Sequence, residues 1–194
     1  MASELTVQTI KAPTSGGNAN KILIGSGQTL HAPGHVIQVV NAEKLTTAAT
    51  NSGMGTSWVD TGLSCSITPN FNTSKILVHA DYAGGVTTAA FNYFRIVRNI
   101  GSGSYSMISE ADTPGNRGAI HGMVYDADNQ GQVRLQTFNH LDSPATTSAV
   151  TYKLQFATGG GGSYIYMGQS NRDTNNADAD PRASSRIILQ EIAQ

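Results

Sequence analysis

The only thiol of the chain, Cys65, is the first residue whose type could do chemistry. It lies in the stretch "SWVDTGLSCSITPNFNTSKILV" (57–78), between Leu63 and Ile67 on the apolar side of an alternating pattern. A catalytic thiol needs a cation or a helix N-terminus nearby to lower its pKa, and the sequence places no helix start and no adjacent base beside it. Cysteine is also among the residue types most often buried. The pattern therefore predicts that Cys65 belongs to the core.

A histidine, an acid and a serine lie together in "NHLDSP" (139–144), as His140, Asp142 and Ser143. A Ser-His-Asp triad needs each group about 3 Å from the next, and it is normally assembled from distant parts of a chain. Three members this close in sequence cannot normally adopt that arrangement. We therefore expect a turn here, with Asp142 and Ser143 capping the chain before Pro144.

Two stretches are rich in carboxylates. "DADNQG" (126–131) resembles the start of an EF-hand loop, but the twelfth position, where a bidentate Glu is required, holds Thr137. We expect a hairpin turn there, with a loose cation site left open as an alternative. In the second stretch, "NRDTNNADADPR", we expect the charges to lie in solvent, with a calcium site left open as an alternative. Its acids are Asp173, Asp178 and Asp180.

The composition argues against several classes of protein. Only 13% of the 194 residues are charged, the formal net charge is −1, and there is no basic run that would indicate nucleic-acid binding. No apolar run approaches the roughly 20 residues of a membrane span, and the opening stretch lacks the apolar core of a signal peptide. We expect a non-enzymatic protein with no cofactor and no metal. A glycosidase-like pair of carboxylates among Asp112, Asp126 and Asp128 stays open.

The elements that would position these residues are strands. Gly, Ser, Thr, Asn and Ala replace the missing charges and favour turns and strand faces, and no segment keeps a helical period over three turns. Alternation is clear in the stretch 59–67 and again in 150–156, where apolar residues occupy every second position. The sequence predicts an all-β fold, an antiparallel jelly-roll β-sandwich of about ten strands with an extended N-terminal arm. The predicted strands are 35–41, 57–67, 75–84, 91–100, 104–110, 118–126, 132–139, 149–157, 163–169 and 184–193.

The first 34 residues differ from the rest. Two short strand-like pieces, "ELTVQTI" and "NKILIG", are separated by stretches rich in Gly, Pro, Ser and Asn. Neither piece has enough apolar surface to fold alone. We therefore predict an anchoring arm over 1–34 and a sandwich over 35–194. The arm's candidate assembly residues are Leu5, Val7, Ile10, Ile22, Leu23 and Ile24.

An ordered set of motifs resembles a recurrent module of bacteriophage tail fibres and other virion appendages. "GHVIQVVN" precedes "TGLSCSITP" and "SKILV", and "FRIVRN", "HLDSPATTSAVTYKLQF", "GQSNRD" and "SSRIILQEI" follow in the module's order. Each motif is weak alone, and the ordered set is more specific. The resemblance covers about residues 34 to 194 and marks no known catalytic residue.

The resemblance implies a compact jelly roll of the tumour necrosis factor and C1q type, assembled as a homotrimer on the virion. Because only about 34 residues precede the module, a short fibre, knob or decoration on the tail, neck or head is expected. The arm would contact other virion proteins, and distal loops would bind a host surface glycan or protein, with no nucleic-acid partner and no membrane insertion. A purely structural decoration or connector and a carbohydrate-binding lectin domain stay open as alternatives. The loop candidates are Asp112, Asn116, Arg117, Asp126, Asp128 and Asn129.

Overall fold

The computed structural model describes residues 9–17, 19, 21, 23–26, 28–55, 57–87, 89–126, 131–159, 163–175 and 178–194. Its internal contacts divide the chain into two units, residues 1–31 and residues 32–194. The described part of the first unit contains turns and bends but no strand. The division into an anchoring arm and a knob stays a prediction.

The second unit is all-β, as the sequence predicts. Each of the ten predicted strands has a counterpart in the structure, and the short strand β2 was not predicted because its three small residues show no alternation. The described residues contain no helix, and hence none long and apolar enough to cross a membrane. The strands are β1 (Val36–Lys44), β2 (Ala48–Thr50), β3 (Val59–Ile67), β4 (Lys75–Val86), β5 (Ala90–Ile100), β6 (Ser106–Met107), β7 (Gly122–Asp126), β8 (Arg134–Asp142), β9 (Val150–Thr158), β10 (Ile165–Met167) and β11 (Ser185–Ile192).

These strands form two antiparallel sheets. Sheet A contains β1, β2, β4, β8, β10 and β11, and sheet B contains β3, β5, β6, β7 and β9. In sheet A, β10 and β11 lie end to end along one flank of β4, and β8 pairs with the other flank. In sheet B, β6 and β7 share one flank of β5 in the same way, and β9 occupies the other.

The connectivity is that of a jelly roll. An ideal jelly roll has eight strands. We therefore treat each of three strand pairs, β1 with β2, β6 with β7, and β10 with β11, as one row, which gives eight rows numbered in chain order. Across sheet A the neighbouring rows are the first, eighth, third and sixth, and across sheet B they are the second, seventh, fourth and fifth. Two interleaved Greek keys of this kind place most sequence neighbours in opposite sheets, and the fourth and fifth rows, both in sheet B, are the exception. The predicted fold class is confirmed.

The core lies between the inner faces of the two sheets. In β3, every second residue from Thr61 to Ile67 is buried, and β9 alternates in the same way from Val150 to Phe156. Cys65 is only 5% exposed, and its core location is confirmed. Val59, which was also predicted in the core, is half-buried at its margin. The largest fully buried side chains are Tyr82, Tyr152, Phe94, Phe156, Ile67, Ile76, Ile96, Leu154, Ile165, Met167, Ile187 and Leu189.

Tyr82 and Asn92 make a polar contact between the two sheets inside this core. The Tyr82 hydroxyl, from sheet A, donates to Oδ1 of Asn92 in sheet B at 2.7 Å. The Asn92 Nδ2 then donates to the carbonyls of Gly85 at 2.9 Å and Tyr166 at 3.0 Å. Asn92 and Tyr82 are fully buried, so these partners remove the penalty of burying an amide and a hydroxyl.

A second buried polar residue fixes the turn after β3. Glu191 is fully buried, and its carboxylate accepts from the backbone N of Asn70 at 2.7 Å and from Nδ2 of Asn70 at 2.8 Å. Hydrogen bonds to a carboxylate are stronger than those between neutral groups. They connect the β3–β4 turn to the last strand of the chain.

Replacing Cys65→Ser is expected to lower the free energy of unfolding by about 1 to 3 kcal/mol, because a hydroxyl is less favourable than a thiol in an apolar site. Urea unfolding measures this change. Since burial raises the pKa of the Cys65 thiol, the native protein should also resist a thiol reagent. Rapid labelling of folded protein would contradict the core location.

Candidate assembly and binding surfaces

The outer face of sheet A carries aliphatic side chains among polar ones such as Gln190, His79 and Asn139, and we call this surface the aliphatic face. In β4 the residues that alternate with the core point outward, and Leu77 lies in one row with Val39 of β1 and Leu141 of β8, through Gln190 of β11. Val39 is 58% exposed and Leu141 44%. Half-buried Ile188 lies in the next row. These exposed and half-buried aliphatic side chains, on four adjacent strands, form a patch of the kind that mediates protein contacts.

The buried carboxylate on this face, that of Asp81, is paired with neighbouring side chains. Asp81 accepts from Nε of Arg186 at 2.7 Å and from Oγ1 of Thr137 at 2.8 Å, and Nε2 of His79 lies 3.4 Å away. Burial by itself would raise the pKa of Asp81, but these hydrogen bonds and the histidine hold the pKa below its ordinary value. Asp81 therefore stays ionised and paired, and it does not interrupt the aliphatic face as a free charge.

The outer face of sheet B is different, because planar polar side chains cross it in a hydrogen-bonded series. The Arg95 guanidinium lies over the Trp58 ring, 4.4 Å from its centroid, and its Nε donates to Oε1 of Gln155 at 2.9 Å. Gln155 Nε2 donates to Asp60 at 2.7 Å, and Lys153 Nζ donates to the same carboxylate at 2.9 Å. These contacts hold several donors and acceptors in fixed positions on the surface.

An aromatic cluster lies on the same outer face, where β5 begins. The Phe91 ring centroid is 5.9 Å from that of Tyr93 and 4.7 Å from that of Tyr125. Met123 and Tyr125 are exposed. Phe94 has the opposite parity in β5, so its ring points into the core and stacks on Tyr82, with centroids 5.1 Å apart. The rings of sheet B therefore divide between the core and the surface.

The structure does not gather the loop candidates of the sequence into one site. Asp112, Asn116 and Arg117 are exposed in the segment between β6 and β7, where Arg117 Nη1 donates to the Pro114 carbonyl at 2.8 Å. Asp126 ends β7, opposite Ala90. The Asp126 side chain, and the whole of Asp128 and Asn129, lie outside the described residues, and so do the arm candidates Leu5, Val7 and Ile22. The other arm candidates, Ile10, Leu23 and Ile24, are exposed.

Two predictions for acidic residues are wrong. A turn was expected at Asp142, but strand β8 continues through this residue. Its carboxylate is a buried acceptor, since Arg98 Nη1 lies 2.7 Å from it and the Tyr152 hydroxyl donates to it at 2.7 Å. Asp180, expected in solvent, is buried and accepts from Ser170 Oγ at 2.9 Å. The described residues contain no group of three His, Cys, Asp or Glu side chains placed to hold a metal ion.

The imidazole of His121 is held by hydrogen bonds at both ring nitrogens and by a stacked aromatic ring. Its Nδ1 accepts from the backbone N of Ile96 at 2.9 Å, so its Nε2 carries the proton and donates to the Ile108 carbonyl at 2.8 Å. The ring stacks on Phe138, with centroids 3.9 Å apart. Burial lowers the pKa of His121 to about 4, although the bond to Ile108 acts in the opposite direction. The neutral imidazole thus replaces a backbone partner where the edge of sheet B is interrupted between β6 and β7.

The protein should lose stability as the pH falls from about 6.5 to about 4, because in that range the unfolded chain protonates His121 and the folded chain does not. The contribution is at most about 3 kcal/mol, from 1.36 kcal/mol for each pKa unit. Chemical unfolding at several pH values measures it. His121→Gln should flatten this dependence, whereas His35→Gln, which removes an exposed imidazole, should leave it unchanged. Equal slopes in all three proteins would contradict the assignment.

No family model and no curated protein sequence matches this chain. Among solved structures, 32 chains match. A structure of the infectious bursal disease virus Gt strain aligns with 90% of this chain at 13% identity and a TM-score of 0.44. T=1 particles derived from infectious bursal virus align with 89% at 12% identity and 0.44, and the subviral particle of the VP2 protein aligns with 81% at 9% identity and 0.37. This chain spans 42%, 45% and 38% of those chains.

Proposed function

We propose that this chain is a structural protein of a bacteriophage virion: a knob on a short tail, neck or head fibre, without enzymatic activity. The observation that carries the proposal is the placement of the resembling motifs. "GHVIQVVN", "TGLSCSITP", "SKILV" and "SSRIILQEI" coincide with β1, β3, β4 and β11 of one jelly roll. An ordered set of motifs that coincides with the strands of a single fold supports the resemblance more strongly than any one of them.

The roles of the candidate catalytic groups support a non-enzymatic protein. Cys65 is buried among aliphatic residues, and Asp142 is bound by Arg98 and Tyr152. A nucleophile or general base must reach a substrate. These groups instead make contacts that hold the sandwich together.

We infer that the knob assembles as a homotrimer through the outer face of sheet A. The aliphatic side chains there, such as Val39, Leu77 and Ile188, are on the surface of a single chain. A second copy would bury them, and in a closed ring of three each copy would present this face to a different patch of its neighbour. The paired state of Asp81 and Arg186 limits the charge that such an interface would have to desolvate.

A second candidate function is the binding of a host surface glycan by sheet B. Aromatic rings pack against the C–H faces of sugars, and fixed amide, carboxylate and guanidinium groups hydrogen-bond to their hydroxyls. The cluster of Phe91, Tyr93 and Tyr125 and the series from Arg95 to Asp60 supply both kinds of group on one face. A glycan array probed with the intact protein, with Tyr125→Ala and Arg95→Ala as variants, tests this function.

Placing lysines at Val39 and Leu77 together should weaken the trimer by about 100-fold or more, because each buried, unpaired charge is costly. Light scattering after size exclusion measures the mass. The control is Leu45→Lys, which changes an aliphatic residue that is 76% exposed and lies after the end of β1. A double variant that remains a trimer down to the same protein concentration as the wild type would exclude this face as the interface.

A chain beginning at Gly34 should fold and form the trimer but fail to join the particle. Gly34 and His35 already belong to the sandwich, since the Gly34 N donates to the Ala193 carbonyl at 2.8 Å and the Ala193 N donates to the His35 carbonyl at 3.0 Å. Incorporation is measured by mass spectrometry of purified particles, with the full chain as control. Normal incorporation of the shortened chain would refute the anchoring role. A shortened chain that stays unfolded would show that the first residues belong to the sandwich.

A further inference from the structure

The chain enters and leaves the sandwich at the same end. Val36, at the start of β1, pairs with Ile192 at the end of β11, and Ile192 pairs in turn with Lys75 at the start of β4. Since β4 runs from Lys75 to Val86, its last residues lie at the opposite end of sheet A, which we call the far end. A surface at the far end stays accessible when the chain is held through its first residues.

The loop between β10 and β11, residues 168–184, lies over the far end of sheet A. A Cβ on Gly85, one residue before the end of β4, would collide with the Gln169 carbonyl oxygen. The Gly168 N also donates to the Ala83 carbonyl at 2.8 Å. The first residues of this loop therefore cover the outer face of sheet A where β4 ends.

A buried carboxylate holds this loop in one conformation. Asp180 accepts from Ser170 Oγ at 2.9 Å and from Arg172 Nε at 3.0 Å. The backbone N of Thr174 donates to the same carboxylate at 3.1 Å. Between these partners Asp173 adopts a φ of +42°, which is uncommon for a residue other than glycine and persists only where surrounding contacts fix the backbone. The side chains of the loop are thus positioned before any ligand binds.

Two tyrosines lie beside this loop on the outer face of sheet A. Ile165 and Met167 of β10 are buried, so Tyr164 and Tyr166 point outward. Tyr164 is 49% exposed, and the two ring centroids are 6.4 Å apart at an interplanar angle of 25°. Burial raises the pKa of Tyr166, and the nearby Tyr164 and Asp173 raise it further. The two rings therefore form an apolar surface beside a carboxylate of the loop.

An ion pair joins the two ends of the loop at this carboxylate. Arg182 Nη2 lies 2.5 Å from Asp173 Oδ1, and Arg182 Nη1 donates to Gln169 Oε1 at 2.6 Å. The Arg182 side chain is 53% exposed and that of Asp173 is 34% exposed. A guanidinium and a carboxylate each have more hydrogen-bonding positions than this pair uses. A ligand can therefore reach both donors and acceptors here, while the two charges balance.

These features favour a saccharide over a peptide as the ligand. Strand β10 pairs with β4 on one flank and with β2 on the other, so a peptide finds no free edge of β10 to extend. A tyrosine offers an apolar ring and a polar hydroxyl, and small-molecule sites combine such apolar surface with a few fixed polar groups. Sugar hydroxyls both donate and accept, which suits the Arg182–Asp173 pair. Because the pair is balanced, a ligand with a net charge is disfavoured.

We propose that Tyr164, Tyr166 and the Arg182–Asp173 pair form a binding site for a neutral saccharide at the far end of sheet A. The site goes beyond the proposed virion role, and it shares no residue with the glycan candidate on sheet B. Along β4, Gly85 at this site is about 26 Å from Leu77, which we place in the trimer interface. Contacts between copies at Leu77 therefore need not cover the site.

Fluorine NMR of the intact protein tests this site. The seven tyrosines are labelled as 3-fluorotyrosine, and each resonance is assigned with a Tyr→Phe variant. The protein is titrated separately with glucose, galactose, mannose and N-acetylglucosamine, and with glucuronic acid as a charged counterpart. The resonances of Tyr82 and Tyr152, which are fully buried, show whether each variant keeps its fold.

Three variants accompany the titration. Arg182→Gln removes the ion pair, and Tyr164→Ala removes the exposed ring. The matched control is Arg134→Gln, at the start of β8, because Arg134 is exposed and its Nε likewise donates to a glutamine, Gln132 Oε1, at 2.8 Å.

We expect at least one neutral sugar to shift the Tyr164 and Tyr166 resonances saturably, with a dissociation constant in the millimolar range. Arg182→Gln and Tyr164→Ala should each raise that constant about 10-fold or more, with the Tyr82 and Tyr152 resonances unchanged. Arg134→Gln should leave the constant as it is in the wild type.

Three outcomes would overturn the proposal. If no sugar shifts Tyr164 and Tyr166, or if the shifts are confined to Tyr93 and Tyr125 of sheet B, the site does not exist. Shifts with glucuronic acid alone would refute the neutral class of ligand. Equal weakening by Arg182→Gln and Arg134→Gln would refute the role of the ion pair. The isolated protein is used throughout, so these results are independent of the virion role, which incorporation into particles tests separately.

Discussion

Strand β4 is the element on which both the fold and its surfaces depend. Three strands hydrogen-bond to it: β11 and β10 on one flank and β8 on the other. Its inner residues fill the core, and Tyr82 reaches across to Asn92 of sheet B. Its outer residues, Leu77 and Asp81 among them, form the middle of the aliphatic face. A shift of β4 by one residue would therefore turn its core side chains to the surface and its surface side chains to the core, because successive residues of a strand point to opposite faces.

Two glycines near the end of β4 allow neighbouring groups to approach the strand closely. A side chain on Gly84 would meet the Tyr82 ring, and one on Gly85 would meet the Gln169 carbonyl. Gly85 needs a residue without Cβ because the loop after β10 approaches closely, and Gly84 needs one because Tyr82, Asn92 and Val124 fill the space beside it. This close approach also brings the Gly85 and Tyr166 carbonyls within reach of Asn92. The cross-sheet polar contact and the glycine pair are thus two parts of one arrangement.

The strands and the core could be predicted from the sequence because each rests on local alternation. Leu63, Cys65 and Ile67 show their burial in their own spacing. The same reasoning failed for Asp142 and Asp180, because a carboxylate is buried only where other residues supply donors, and alternation does not show which residues those are. It also gave no sign of the buried Glu191. The partners of Glu191, for instance, come from a turn that lies 121 positions earlier in the chain. The role of His121 at the edge of sheet B depends on contacts with Ile96 and Ile108, and the sequence alone gives no sign of those contacts.

The segment between β6 and β7 can vary in evolution more easily than the strands of sheet B. The segment between them is fastened at both ends, since the Ile108 N donates to the Ile96 carbonyl and the His121 N donates to the Phe94 carbonyl. The residues between these points, including Asp112, Asn116 and Arg117, contribute nothing to the ladder of sheet B. Doubling the length of a flexible loop costs only about 0.6 kcal/mol. Insertions and new side chains in this segment are therefore nearly free for the fold, which makes it a place where a lineage can acquire new surface chemistry without rebuilding the sandwich.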